Sequence, residues 1–274
     1  MKAIKIVMIT LLSSLLLLVG IVSALFVFLT STPNLLPFTL RQVWNKEELY
    51  ELKEYLSIKD DIEMYKDLEY PSKYGENKLD IYFSKTSETA KPVIIWIHGG
   101  AFVSGDKSDL KVFGSMMAAE GFTFIAINYE LAPESHFPRP LIQVSEVIQY
   151  LSKMKYEMID LEKVIIGGDS AGAHIAANFA ALQTNEELSE EMKIKPVINK
   201  DFLKGVLLYC GPFDLKRIDN MIGGSSNSIL NKVLGYSINQ IGWHFLVKKI
   251  GKKKHISIKL ISLIELMGIF LVHT

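Results

Sequence analysis

Residues 163–177 read KVIIGGDSAGAHIAA: a short apolar run, a glycine-rich turn that carries Ser170, and an alanine-rich stretch. This order predicts a strand, a sharp turn and a helix. The Ser170 hydroxyl would then be exposed at the carboxyl edge of a sheet, at the positive end of the helix dipole. Gly168 and Gly172 flank the serine at G-x-S-x-G spacing, because a strained turn between crowded segments leaves no room for Cβ atoms at its flanks.

A second glycine turn follows another buried strand, in the segment VIIWIHGGAF at residues 93–102. When a carbonyl carbon is attacked, its oxygen becomes negatively charged, and each preorganised backbone N–H donor stabilises that charge by about 3–4 kcal/mol. The pattern predicts an oxyanion hole with donors from Gly99 and Gly100, and a third from Ala171, directly after the nucleophile. The alternative is two ordinary glycine turns at strand ends. His98 is interpreted as a structural histidine that holds this loop rather than as a base.

Together these motifs resemble the hormone-sensitive-lipase-like esterase and lipase group of the α/β-hydrolases, which carries H-G-G-G/A and G-D-S-A-G motifs. A third stretch, NYELAPESHFP at 128–138, resembles the Y-R-L-A-P-E-x-x-F-P loop of that group, with Glu130 in place of the usual arginine. The resemblance covers about residues 79–214. It implies a serine carboxylesterase in which Ser170 is the nucleophile, and Ala101 a variant of a third glycine that narrows the acyl pocket.

The rest of the chain alternates between β-rich and helical patterns, which predicts an α/β fold with a mostly parallel sheet covered by helices on both faces. Five strands are expected, at 79–83, 93–97, 122–129, 164–166 and 205–209. Helices are expected at 45–58, 109–120, 140–155 and 171–183. These elements form one catalytic domain at 40–245, in which residues 221–245 resemble a helical lid.

The partners that would activate Ser170 are missing from the pattern. In this fold an acid and then a histidine follow the serine along the chain, but after Asp219 there is no aspartate and Glu265 is the only glutamate. His244, His255 and His273 are nominal bases without a recognisable context. Residues 246–274 are basic and apolar, and the preferred hypothesis is loss of the reading frame near Leu246, which would leave the sheet incomplete at its C-terminal end. A second membrane helix and an interfacial amphipathic helix are the alternatives.

Residues 4–29 form an apolar run whose only charged residue is Lys5, and Lys2 precedes it. Its length suits a membrane-spanning helix, and the lysines place the domain outside the cytoplasm. Residues 1–32 are therefore predicted to be an uncleaved membrane anchor; a removed secretory signal or a buried core helix are alternatives.

The composition adds few constraints. The chain has 274 residues with 30 basic and 30 acidic side chains, so no overall charge favours nucleic acid as a partner. Its single cysteine, Cys210, excludes an intramolecular disulfide. The histidines show no metal-binding spacing, so neither a metal nor an organic cofactor is expected. The expected partner is a small-molecule ester, cleaved through an acyl-serine. A catalytically inactive relative and a peptidase or amidase on the same fold are the competing interpretations.

Overall fold

A computed structural model describes residues 2–31, 38–39, 41–42 and 52–213. Its main body is one six-stranded sheet with the strand order β1-β2-β4-β3-β5-β6. The strands are β1 (Ile62–Glu69), β2 (Lys78–Ser84), β3 (Lys91–Ile97), β4 (Thr123–Ile127), β5 (Ile159–Asp169) and β6 (Leu203–Tyr209). The helices are α1 (Lys2–Ser31), α2 (Lys53–Ile58), α3 (Lys111–Ala119), α4 (Arg139–Met154), α5 (Ala171–Thr184) and α6 (Glu186–Met192), with short 3₁₀ turns at Lys59–Asp61 and Lys107–Leu110.

Each central strand is apolar on both sides, because both faces of the sheet are covered. In β3, Val93, Ile95 and Ile97 join the larger core with α4 and α5, whereas Ile94 and Trp96 join the smaller core with α3. A side-chain period of two produces this division. The predicted α/β architecture with helices on both faces is therefore confirmed.

The sheet is mixed rather than parallel throughout. Strands β3, β4, β5 and β6 pair in parallel, whereas β2 pairs antiparallel with both β1 and β4. The parallel part brings the carboxyl ends of β3, β5 and β6 to one edge, which is where both predicted glycine turns begin. Strand β1 was not predicted, because its side chains are only partly buried and it lies at the edge of the sheet.

The predicted membrane anchor receives no support. Side chains of α1 are described for residues 12–25, 27 and 28, and the large apolar ones among them are exposed. Over the side chains that the structure describes, no helix is long and apolar enough to cross a membrane. The extracytoplasmic location stays a prediction. The predicted lid at 221–245 and the tail at 246–274 lie outside the described residues.

Candidate active site

Ser170 lies on the predicted sharp turn, between the end of β5 and the start of α5. Its backbone has φ 48° and ψ −116°, a conformation that L residues rarely adopt and that costs about 1–3 kcal/mol. The surroundings hold it there: the Ser170 N–H donates to the Tyr209 carbonyl at the end of β6 (2.8 Å), and the His174 N–H donates to the Ser170 carbonyl (3.2 Å). A strained serine at a strand-to-helix turn is the geometry expected of an exposed nucleophile.

The two glycines that flank Ser170 are required by close packing against β3. A Cβ atom on Gly172 would overlap the Ile97 carbonyl oxygen, and one on Gly168 would lie 2.6 Å from the same oxygen. Because these neighbours are backbone atoms, they cannot rotate away. The packing therefore shows the predicted reason for the G-x-S-x-G spacing: the flanks of the turn have no room for Cβ atoms.

The structure brings the second glycine turn against the nucleophile. A Cβ atom on Gly99 would overlap a carboxylate oxygen of Asp169, and would lie 3.1 Å from the Asp169 carbonyl oxygen and 3.2 Å from the Ser170 Cβ. The backbone of Gly99 therefore lies in contact with the serine turn, with no packed core between them. The roles of Gly99, Gly100 and Ala171 as oxyanion donors stay predictions, but their segments meet as those roles require.

Two hydrogen bonds orient the amides of this loop. The Tyr129 hydroxyl donates to the His98 carbonyl (3.2 Å), and His98 Nδ1 lies 2.8 Å from the Gly99 carbonyl oxygen. A trans peptide is planar, so fixing each carbonyl also fixes the N–H on its other side. The bond to the His98 carbonyl thus sets the direction of the Gly99 N–H, and the bond to the Gly99 carbonyl sets that of the Gly100 N–H. Within residues 52–213, neither amide is seen to donate a hydrogen bond.

His98 has the structural role that the sequence predicts. Its ring is buried and stacks on the Tyr129 ring, with centroids 4.6 Å apart. Burial lowers the pKa of His98, and this effect outweighs the hydrogen bond to Gly99, which acts to raise it. The ring is therefore neutral near pH 7 and donates from Nδ1, since a carbonyl oxygen can only accept.

His174 and Asp169 also bond away from the serine hydroxyl. His174 Nδ1 lies 3.0 Å from the Pro212 carbonyl oxygen, and burial lowers the pKa of His174 to about 4, against the raising effect of that hydrogen bond. The Trp96 indole N–H donates to Asp169 (3.0 Å), which ties the turn to β3. Asp169 is therefore part of the turn, and His174 packs against the segment that follows β6.

An acid and a base for Ser170 are not identified. Within the ranges that the structure describes, no histidine or carboxylate is seen to hydrogen-bond the Ser170 hydroxyl; the nearby His98, Asp169 and His174 bond as stated above. The three nominal bases, His244, His255 and His273, lie outside the described residues. No group of three or more potential metal ligands occurs among the residues described.

The loop that follows β3 carries the predicted oxyanion donors Gly99 and Gly100 and is called the oxyanion loop below. A buried ion pair anchors its far end, and the sequence patterns did not reveal this pair. Lys107 Nζ lies 2.8 Å from a carboxylate oxygen of both Asp80 and Asp67, and its backbone N–H donates to the Asn128 side chain (2.7 Å). The side chains of Lys107 and Asp80 are 6% and 1% exposed. Burial acts to lower the pKa of Lys107, but the two hydrogen-bonded carboxylates outweigh it and the pKa is raised. Only the fold brings these residues together, so no local pattern could have predicted the cluster.

The strained serine turn, the glycine loop packed against it and the mixed sheet with helices on both faces are features of the α/β-hydrolase fold. The comparisons give the family. Residues 79–253 match the BD-FAE family model, and the chain belongs to that family.

Individual relatives match shorter parts of the chain. An acetyl esterase of Salmonella schwarzengrund is 30% identical over 109 residues, covering 39% of this chain and 33% of its own. A kynurenine formamidase of Salmo salar is 26% identical over 145 residues, covering 52% and 45%. The chain therefore spans about a third to just under half of the length of these two relatives. An inhibited esterase B from Lactobacillus rhamnosis has a TM-score of 0.62 and 20% identity, covering 82% of this chain and 72% of that one, which shows the fold alone.

Proposed function

We propose that this protein hydrolyses small carboxylic esters through an acyl-serine formed on Ser170. The serine oxygen attacks the ester carbonyl carbon, the alcohol leaves, and water then releases the acid. The observation that carries the proposal is the contact between Gly99 and the Ser170 turn. The Gly99 and Gly100 amides are oriented by hydrogen bonds to the preceding carbonyls, those of His98 and Gly99. Family membership and the acetyl esterase relative support the same chemistry.

The direct test is whether Ser170 becomes acylated. Wild type and Ser170→Ala should be mixed with p-nitrophenyl acetate and butyrate, and p-nitrophenol release followed from the first milliseconds. We expect a burst of about one equivalent in the wild type and none in the variant. Mass spectrometry of the quenched protein should place the acyl group on the peptide that contains Ser170.

A matched control is Ser87→Ala, since Ser87 lies in the turn before β3, at the opposite edge of the sheet from Ser170. It should show the wild-type burst. Equal background rates in wild type and Ser170→Ala would indicate a catalytically inactive chain and refute the proposal.

A second candidate function is hydrolysis of an N-formyl amide, because the relatives include a kynurenine formamidase of Salmo salar and another of Drosophila melanogaster. Ester and amide cleavage share the tetrahedral intermediate, so the same loop serves both. An amide adds a poorer leaving group, which must be protonated as it departs. Formanilide assayed beside p-nitrophenyl formate separates the two: Ser170-dependent hydrolysis of both favours the amidase, and hydrolysis of the ester alone excludes it.

A further inference from the structure

One side chain from the N-terminal part of the chain joins the two loops beside the candidate active site. The Arg41 guanidinium donates from Nε to the Val103 carbonyl (2.6 Å) and from Nη2 to the Ala132 carbonyl (2.7 Å). It also forms a two-pronged ion pair with Glu134, at 3.1 and 2.6 Å. Val103 follows β3 and Ala132 follows β4, so one planar group spans two loops and saturates most of its donors.

The bond to Val103 is connected to the oxyanion loop through one peptide group. The carbonyl of Val103 and the N–H of Ser104 belong to the same plane, and this N–H donates to the Gly100 carbonyl (2.9 Å). Gly100 also accepts from the Val103 N–H (3.0 Å) and from the Ser104 hydroxyl (3.1 Å). Three donors thus converge on the carbonyl of Gly100, and Arg41 fixes the peptide that supplies one of them.

The loop needs external support because it is strained. Ala101 and Phe102 have φ values of 52° and 66°, and Gly100 has φ 100°. A non-glycine residue in this region costs about 1–2 kcal/mol, and here two stand in succession. A hydrogen bond between the Ala132 N–H and the Phe102 carbonyl (2.8 Å) joins the same loops beside Arg41. The Arg41 guanidinium, which donates to the Val103 and Ala132 carbonyls, offsets part of this backbone strain.

We propose that Arg41 is a positioning residue for the oxyanion loop, which makes the N-terminal part of the chain a component of the active site. Arg41 acts through the Val103–Ser104 peptide and does not touch the substrate. The inference rests on the proposed function of the loop that carries the Gly99 and Gly100 amides, because the Gly100 carbonyl fixes the next peptide of that loop. Position 41 precedes residue 79, where the family match begins, so the family match does not assign this role.

The test compares Arg41→Met with Arg41→Lys in the full chain, with Gln42→Ala as the matched neighbour control. A fluorophosphonate probe titrates reactive Ser170, so that kcat is expressed per labelled site and unfolded protein is not counted. For Arg41→Met we expect kcat on p-nitrophenyl acetate to fall about 10- to 100-fold with little change in KM, since a displaced donor affects the transition state most. Arg41→Lys should recover part of the loss, and added guanidinium ion should partly rescue Arg41→Met.

Hydrogen–deuterium exchange provides a readout that does not need activity. In Arg41→Met, peptides covering 99–106 and 130–138 should exchange faster, while the peptide covering β5 should be unchanged. Wild-type exchange in these loops overturns the inference whether or not the protein is active. Faster exchange with an unaltered kcat per labelled site also overturns it, because Arg41 would then be only structural. A wild type that neither labels nor turns over sinks the proposed function instead, and exchange alone then decides whether Arg41 holds the loop.

Discussion

Gly99→Ala tests the contact between the oxyanion loop and the nucleophile most directly. The added methyl would overlap a carboxylate oxygen of Asp169 and would meet the Asp169 carbonyl oxygen at 3.1 Å and the Ser170 Cβ at 3.2 Å. The carboxylate cannot swing aside freely, since the Trp96 indole N–H holds it at 3.0 Å. The loop must therefore move by roughly 1 Å away from the serine turn, and a misplacement of that size costs about 100-fold in rate. Overpacking should also lower the free energy of unfolding by about 1–3 kcal/mol.

A second glycine provides the matched control for this variant. No described atom lies within 4 Å of a Cβ built on Gly205 in β6. Gly205→Ala should therefore keep the wild-type kcat and raise the free energy of unfolding by about 0.5–1 kcal/mol, because alanine loses less backbone entropy on folding. The assays are kcat on p-nitrophenyl acetate per fluorophosphonate-labelled site and urea unfolding followed by tryptophan fluorescence.

The reasoning is refuted if Gly99→Ala retains the wild-type kcat per labelled site. Should that variant fail to fold, Gly99→Ala combined with Asp169→Ala keeps the test open, because the shorter side chain removes the worst overlap. We expect the double variant to be more stable than Gly99→Ala alone, and equal stability would count against the packing argument.

Three further predictions concern the surroundings of the loop. Lys107→Met leaves the Asp80 carboxylate buried without its cation and should lower the free energy of unfolding by about 3–5 kcal/mol. The double variant Lys107→Met/Asp80→Asn should recover part of this stability. Urea titrations that show no loss in the single variant would contradict the argument. Burial lowers the pKa of His174 to about 4, so the unfolded chain takes up a proton as the pH falls below about 6.5 while the folded chain does not. The stabilisation is complete above pH 6.5, and about 2 kcal/mol of it is lost by pH 5. In His174→Gln, urea midpoints measured at both pH values should lack this share of the loss. Ala101→Gly removes an exposed methyl at φ 52° and should raise the butyrate-to-acetate rate ratio about tenfold without loss of stability. An unchanged ratio in p-nitrophenyl ester assays would show that Ala101 does not limit the length of the acyl group.

The parts of the fold that the sequence predicted are those with a strong local signal. Strand β3 and the turn at Ser170 were predicted because continuous apolar runs and glycine spacing are properties of neighbouring residues. The expected strand at 164–166 is the centre of the longer β5, Ile159–Asp169, whose first half is charged and partly exposed. Helix α6, Glu186–Met192, was missed because its seven residues carry four glutamates and little apolar pattern.

Local sequence patterns could not predict the direction of the strands or the side-chain hydrogen-bond networks. An antiparallel β2 and a parallel β3 have similar apolar sequences, since both are covered on two faces. Arg41 and Tyr129 act on backbone carbonyls distant in sequence, at Val103 and His98. Such contacts depend on how the loops approach each other. Only the motif at 128–138, which contains Tyr129, pointed to one of these residues in advance.

The described part of the chain separates two tasks of the proposed acyl-serine site. Orientation of the Gly99 and Gly100 amides involves His98, Tyr129 and the packing of β3 against the serine turn, and the proposed role of Arg41 adds support to the same loop. Proton removal from Ser170 is the second task, and burial makes His98 and His174 weaker bases by lowering their pKa values. A base for Ser170 would have to present a ring nitrogen to its hydroxyl, and no histidine in residues 52–213 is seen to do so. In the proposed site, loss of a base that lies outside the loop would leave the loop in place, with a residual acceleration of about 10³–10⁴ over water.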